Sequence, residues 1–231
     1  MTGLTPEEAT ALMLSLRVAG VAVLTSLPVG LAVAMVLARG RWPGLWLLNA
    51  LVHLPLILPP VVTGYFLLLA FGRKGPVGAF LEQAFGLVFA FRWTGAALAA
   101  AVMGFPLMVR AMRLAIEAVD PRLEEAASTL GASRLAVFRS VTLPLILPGV
   151  IAGAVLAFAK AMGEFGATIT FVSNIPGQTQ TLPLAIYTAL QLPGQSALAG
   201  RLALISVIVA IGAVLLSEFI ARRVAARIRG A

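Results

Sequence analysis

Five stretches of this chain run for 16 to 27 residues without a single Asp, Glu, Lys or Arg: residues 18–38, 45–71, 93–109, 140–159 and 202–217. A helix needs about 20 mostly apolar residues to cross a hydrocarbon core about 30 Å thick. The pattern therefore predicts an all-α integral membrane protein, a polytopic bundle of five transmembrane helices with a sixth possible. The 16- and 17-residue runs reach full length only by extending into flanks where Arg can snorkel. A sixth apolar run, "LPLAIYTALQLPG" after Thr181, is short and bounded by proline, and predicts an interfacial or re-entrant piece. Composition agrees, with 60% hydrophobic residues, 11% charged residues and a mean hydropathy of +1.01. These place residues 1–231 in one transmembrane domain whose surroundings are a lipid bilayer. The net charge of +8 would suit nucleic acid in a soluble protein, but here the charges lie in loops, and no nucleic-acid partner is expected. With no Cys and only His53, neither a thiolate site nor a multi-His metal centre can form.

Orientation follows from the cations in alternating loops. One set holds Arg39, Arg41, Arg110, Arg113, Arg122, Arg134, Arg139, Arg222, Arg223, Arg227 and Arg229, eleven in all. The other holds six, Arg17, Arg73, Lys74, Arg92, Lys160 and Arg201. The first set is expected on the cytoplasmic side, with the N-terminus outside and the C-terminus inside. The opening "MTGLTPEEAT" is acidic where a signal peptide is basic, so no signal peptide is expected.

The cytoplasmic segment 120–142 is unlike its apolar neighbours. Asp120 and Pro121 form an N-cap and first-turn pair, and Leu123, Ala126, Ala127 and Leu130 recur at helical spacing as one apolar stripe. Gly131 stops that helix. A second short helix is expected from Ser133, with Val137, Phe138 and Val141 on one side and Arg134 and Arg139 facing elsewhere. Read from the residues alone, this is a membrane-surface hairpin.

Glu125-Ala126-Ala127, three residues, Gly131, nine residues, Val141, one residue, Leu143-Pro144 resembles the EAA loop of ABC importer permeases, with Val141 where Ile usually stands. The resemblance implies a coupling loop that docks into a groove on a separate ATPase, with Glu124, Glu125, Ala126, Ala127, Leu130, Gly131, Phe138, Leu143 and Pro144 as ATPase-coupling residues. The chain contains no P-loop of its own: Lys74 is followed by Gly75 and Lys160 by Ala161, and no other lysine exists. No cofactor is expected on this chain, and ATP and Mg would be used by the partner ATPase. "HLPLILPPVVTGYFLLLAFGRKGPVG", "FPLMVRAMRLAIEAVD" and "GEFGATITFVSNIPGQTQTLP" look like the bacterial molybdate transporter permeases, of which sulfate permeases are near relatives. That resemblance implies a type I ABC importer permease of the bacterial inner membrane, passing molybdate or tungstate from an external substrate-binding protein. A homodimer of the chain with two ATPases is expected, because five helices supply too few walls for a cavity and an ATP-driven cycle uses two ATPase sites.

Pro55, Pro59, Pro60, Pro144 and Pro148 predict kinks in the second and fourth spans. His53 reads as an interhelical hydrogen-bonding group, and Trp42, Trp46 and Trp93 as interface anchors. "GEFGATITFVSN", residues 163–174, is too polar for lipid and is expected to line a gate or vestibule, with Thr168, Thr170, Ser173 and Asn174 offering groups that replace the waters of an oxyanion. Glu164 would repel a dianion, whereas Lys160, four residues earlier, stands on the same helical face and can pair with it. Lys160 and Glu164 complete the expected translocation path. A self-sufficient channel or carrier would call for charged residues inside the spans or inverted repeats. A membrane hydrolase would call for a base near a nucleophile turn. The sequence displays neither set of features.

Overall fold

A computed structural model describes residues 4–229, with the side chains of Ser217, Ala221, Arg222 and residues 224–229 outside that description. Of the cations counted above, Arg222, Arg227 and Arg229 therefore lie outside the described side chains. The first helix, α1 (Pro6–Arg39), begins 12 residues before its uncharged run and is 34 residues long. The charged residues are accommodated in place. Glu8 completes a capping box, its Oε2 accepting from the Thr5 backbone N–H while Thr5 Oγ1 accepts from the Glu8 N–H. Arg17 lays its guanidinium 3.7 Å above the Trp93 ring.

The run 45–71 is broken into two helices. Helix α2 (Leu45–Ile57) and helix α3 (Pro60–Phe71) are bent by 114° about Leu58 and Pro59. Consecutive prolines explain the break. A residue before proline is driven out of the helical region, and Leu58 (φ −71°, ψ 145°) and Pro59 (φ −55°, ψ 133°) both precede one. Pro55, preceded by a helical turn that tolerates it, stays inside α2. A short helix that the apolar pattern did not single out, α4 (Pro76–Phe85), follows and ends at Gly86 with φ +66°.

Helix α5 (Trp93–Glu117) is the axis of the molecule, packed along α1 on one side and along a later helix, α8, on the other. The segment after it forms α6 (Pro121–Thr129) and α7 (Arg134–Val137), and then a π turn at Phe138–Thr142 that leads into α8 (Leu143–Met162). Small residues set the α5–α8 distance: a Cβ on Gly153 would stand 2.9 Å from the Met108 carbonyl oxygen, and one on Gly104 would stand 3.1 Å from that of Ala157. Around this contact lie two buried clusters. Alanines of α1 and α5 with Met103, Phe171 and Leu182 fill one, and Leu37, Met108, Met112, Ile116 and Ile146 fill the other.

Three helices complete the chain, α9 (Gly166–Val172), α10 (Leu182–Gln191) and α11 (Ser196–Arg229). The run after Thr181 is thus a ten-residue helix, too short to span. Among the described residues four helices are long and apolar enough to cross a membrane, or five with the α2–α3 pair taken as one broken span. Helix α9 lies against α3 at a very close crossing, where a Cβ on Gly64 would come 2.5 Å from the Ala167 carbonyl oxygen and one on Gly166 would come 2.8 Å from the Pro60 ring.

Gly64→Leu should force α3 and α9 apart and destabilise the protein by about 1–3 kcal/mol. Gly20→Ala on α1, where nothing lies within 4 Å of the added Cβ, should be neutral or stabilising. Thermal unfolding of both variants in detergent checks this, and an unaltered melting temperature in Gly64→Leu would refute the crossing.

Candidate functional site

The arginine-rich end of the bundle carries the segment 120–142. Asp120 Oδ1 accepts from the Arg122 N–H at 2.9 Å and starts α6. The helix ends in a Schellman motif: Gly131 has φ +85°, its N–H donates to the Ser128 carbonyl, and the Ala132 N–H donates to that of Ala127. Ser133 Oγ caps α7 by accepting from the Ala136 N–H. The second helix does not remain a separate surface element, as its pattern suggested. It continues through the π turn into α8, making one helical stretch, Arg134–Met162. Pro144 supplies the reason. It has no N–H for the Ser140 carbonyl and its ring crowds that carbonyl, so the preceding turn widens, with the Leu143 N–H reaching back to Phe138.

No residue of α6 is buried, and Leu123, Ala126 and Leu130 of its apolar stripe are exposed among the described residues. Leu130 is 89% exposed, and Leu123 of α6 and Leu135 of α7 are exposed as well. Ala126 and Gly131 are exposed, Ala127 is half-buried, and Phe138, Leu143 and Pro144 are half-buried where the segment meets the bundle. The two adjacent glutamates point differently. Glu125 is exposed. Glu124 turns inward, where Thr142 Oγ1 donates to its Oε1 at 2.6 Å and Arg39 Nη2 lies 3.3 Å from its Oε2.

The other end of α8 carries the second group of expected residues. From Thr142 to Lys160 the helix rises about 27 Å. Lys160 Nζ donates to Glu164 Oε2 at 2.7 Å, and Glu164 Oε1 accepts from the Ala167 N–H at 3.0 Å. One buried carboxylate thus ties the last turn of α8 to the first turn of α9. Thr168 is buried, and Thr170 donates its hydroxyl to the Gly166 carbonyl. Ser173 ends α9 with φ +65° and is exposed. Asn174 donates to Thr188 Oγ1 at 2.8 Å, leaving its Oδ1 buried with no hydrogen-bond partner. Lys160 and Glu164 therefore meet, while the hydroxyls of α9 do not converge on one point. Sequence reasoning passed over Thr179 and Thr188. Thr179 bonds the Ser173 carbonyl and the Ile175 N–H, and Thr188 receives Asn174 and Gln180. Their only signal was polarity within and just after "GQTQTLP".

Apolar helices around a small-residue contact, with an exposed two-helix segment at one end and a polar helix junction at the other, define a membrane-embedded helical bundle. The model of the family described as "Binding-protein-dependent transport system inner membrane component" matches residues 26–230, and the chain belongs to that family. It is 58% identical to the molybdenum transport system permease protein of Escherichia coli (strain K12) over 219 residues, 95% of this chain and 96% of that protein. It is 41% identical to the sulfate transport system permease protein of Salmonella typhimurium, over 84% of this chain and 71% of that protein. Its fold is like that of a bacterial ABC transporter importing the polysaccharide alginate, with a TM-score of 0.74 at 19% identity over 95% of this chain and 80% of that one. The inward-facing MetNI methionine ABC transporter has a TM-score of 0.71 at 17% identity over 93% and 94%.

Lys160→Met should leave the Glu164 carboxylate, 2% exposed, without its cation, and destabilise the protein by about 1–3 kcal/mol. Glu164→Gln should cost less, because Lys160 is 29% exposed and keeps access to water. The double variant should lie closer to wild type than the two single losses summed. A double-mutant cycle of unfolding in detergent reads the coupling, and strict additivity would refute it.

Proposed function

We propose that this chain is the permease subunit of an ATP-driven importer that passes molybdate, or the similar dianion tungstate, from an external binding protein to the cytoplasm. The observation that carries the coupling half is the uncovered apolar face of α6 and α7, Leu123, Leu130 and Leu135, on a segment whose inner side is bonded to the bundle. A rigid, small-residue helix with unburied leucines is suited to seat in a groove of another protein. That partner is the ATPase, which holds ATP and Mg. Two ATPases and two copies of this chain make the pump.

Support for molybdate is the 58% identity to a molybdenum permease over nearly the whole of both chains. The sulfate relative keeps a second reading alive. In this scheme the arginine-rich end, the C-terminus and the segment 120–142 are cytoplasmic, and the N-terminus is outside. Lys160, Glu164, Thr168, Thr170, Ser173 and Asn174 belong to the outer gate. The Lys160–Glu164 pair holds α9 in place, Ser173 stands exposed toward the path, and Asn174 ties the end of α9 to α10 through Thr188. Uncharged donors there would loosen an oxyanion's hydration without trapping it, and release is what a translocation path requires.

Cells lacking their own molybdate uptake should recover it when given this chain with its ATPase and binding protein. Excess tungstate should compete and excess sulfate should not; competition by sulfate alone would move the assignment to sulfate. Gly131→Leu should place a side chain at φ +85°, costing about 1–2 kcal/mol locally, and should lower uptake while the protein still inserts. A reporter joined after Gly75 should be external and one joined after Arg41 cytoplasmic, and the reverse result would overturn the orientation.

A further inference from the structure

Glu124 and Glu125 are neighbours in sequence, yet the structure gives them opposite surroundings. Both oxygens of Glu124 are engaged: Oε1 accepts from Thr142 in the π turn at 2.6 Å, and Oε2 faces Arg39 at the end of α1 at 3.3 Å. Arg39 in turn donates to the Ile116 carbonyl in the last turn of α5 at 3.4 Å. One carboxylate and one guanidinium thus join four elements, α1, α5, α6 and the start of α8. Thr142 is 2% exposed, and the side chains of Arg39 and Glu124 are 31% and 25% exposed, so the junction is anchored on its bundle side and only partly open to water. Glu125 is exposed, and among the described residues no ion pair engages it.

Resting on the reading that the segment docks an ATPase, we propose that Glu124 is not a docking residue but the positioning residue that carries loop movement into the bundle. Three features support the assignment. The segment has no buried residue in α6, so apolar packing does not hold that helix to the bundle. Thr142 sits in the widened turn, where the helix has one residue of slack and a bond from outside can set its register. Arg39 is the last residue of a 34-residue helix, so a pull on its guanidinium is applied to the end of α1. Displacement of α6 by a partner is transmitted through Glu124 to α8 and α1 together, and Glu125, Leu123 and Leu130 remain free to make the contact.

The chain has no Cys, so a cysteine pair introduced into it is labelled cleanly before assembly, and dilution into unlabelled chain leaves one labelled copy per complex. Spin labels at Val36→Cys and Ser128→Cys, on exposed positions of α1 and α6, are measured in the reconstituted permease–ATPase complex with and without ATP. Molybdate uptake and ATP hydrolysis are measured in the unlabelled complex. The expected result is one narrow distance distribution in the wild type, unchanged by ATP, because α6 and α1 move as one body. In Glu124→Ala the distribution broadens, the ATPase still co-purifies, and uptake per ATP hydrolysed falls by about fivefold or more, within the ordinary range of site-to-site coupling. Glu124→Gln, which can still accept from Thr142, is intermediate, and the exchange Arg39→Glu with Glu124→Arg narrows the distribution again. Glu125→Ala instead weakens ATPase co-purification and leaves the distribution narrow. An unchanged distribution and ratio in Glu124→Ala overturns the proposal, as does a loss of ATPase equal to that of Glu125→Ala. If wild-type complex does not take up molybdate, the substrate reading falls, while the distance distributions still decide this one.

Discussion

In a hydrocarbon layer no water is available for backbone N–H and C=O groups, and the architecture of this chain follows from that shortage. Its apolar runs are helical because a helix satisfies those groups within itself. Deviations occur where proline removes a donor, and each is met by a neighbour. Leu58 and Pro59 are pressed out of the helical region, and α3, turned by 114°, is received by α9 at a crossing where only Gly64 and Gly166 leave room. Pro144 starves the Ser140 carbonyl, and the helix answers with a π turn into which Glu124 reaches through Thr142.

The same shortage makes charge placement informative. The two anchored carboxylates near the ends of α8, Glu124 and Glu164, each engage both oxygens with a cation and a hydrogen-bond donor. One joins α6 to the helix ends at the arginine-rich side, and the other joins α8 to α9 at the opposite side. Helix α8 between them is packed closely on α5 through glycine and alanine contacts. A displacement at one end therefore has one continuous helix along which to travel, which is what an importer driven from one side of a membrane needs.

Most of the fold was legible in the chain because spans are written as runs without charge. The caps and stop of α6 were also legible, since Asp120, Pro121 and Gly131 act through local geometry. The 45–71 run was expected to kink at its prolines and it bends there, but the 114° size of the bend was not legible, because apolarity reports length and not direction. Helix α4 escaped notice because it is short and of mixed character. The second surface helix was expected to stand alone, yet Arg134–Met162 is continuous, since nothing local to Val137 or Phe138 ends a helix.

What the sequence determined by itself was membrane residence, the number of apolar runs, the apolar stripe of α6 and the i, i+4 spacing that lets Lys160 meet Glu164. These depend on residues within a few turns of one another. Only the tertiary structure decided that Glu124 faces inward to Arg39, 85 residues away, and to Thr142, while Glu125 faces out. It also decided that α9 nests on α3. Adjacent glutamates on a short polar helix are equivalent in pattern, and the angle at which that helix leaves the bundle, set by packing among distant segments, is what separates them.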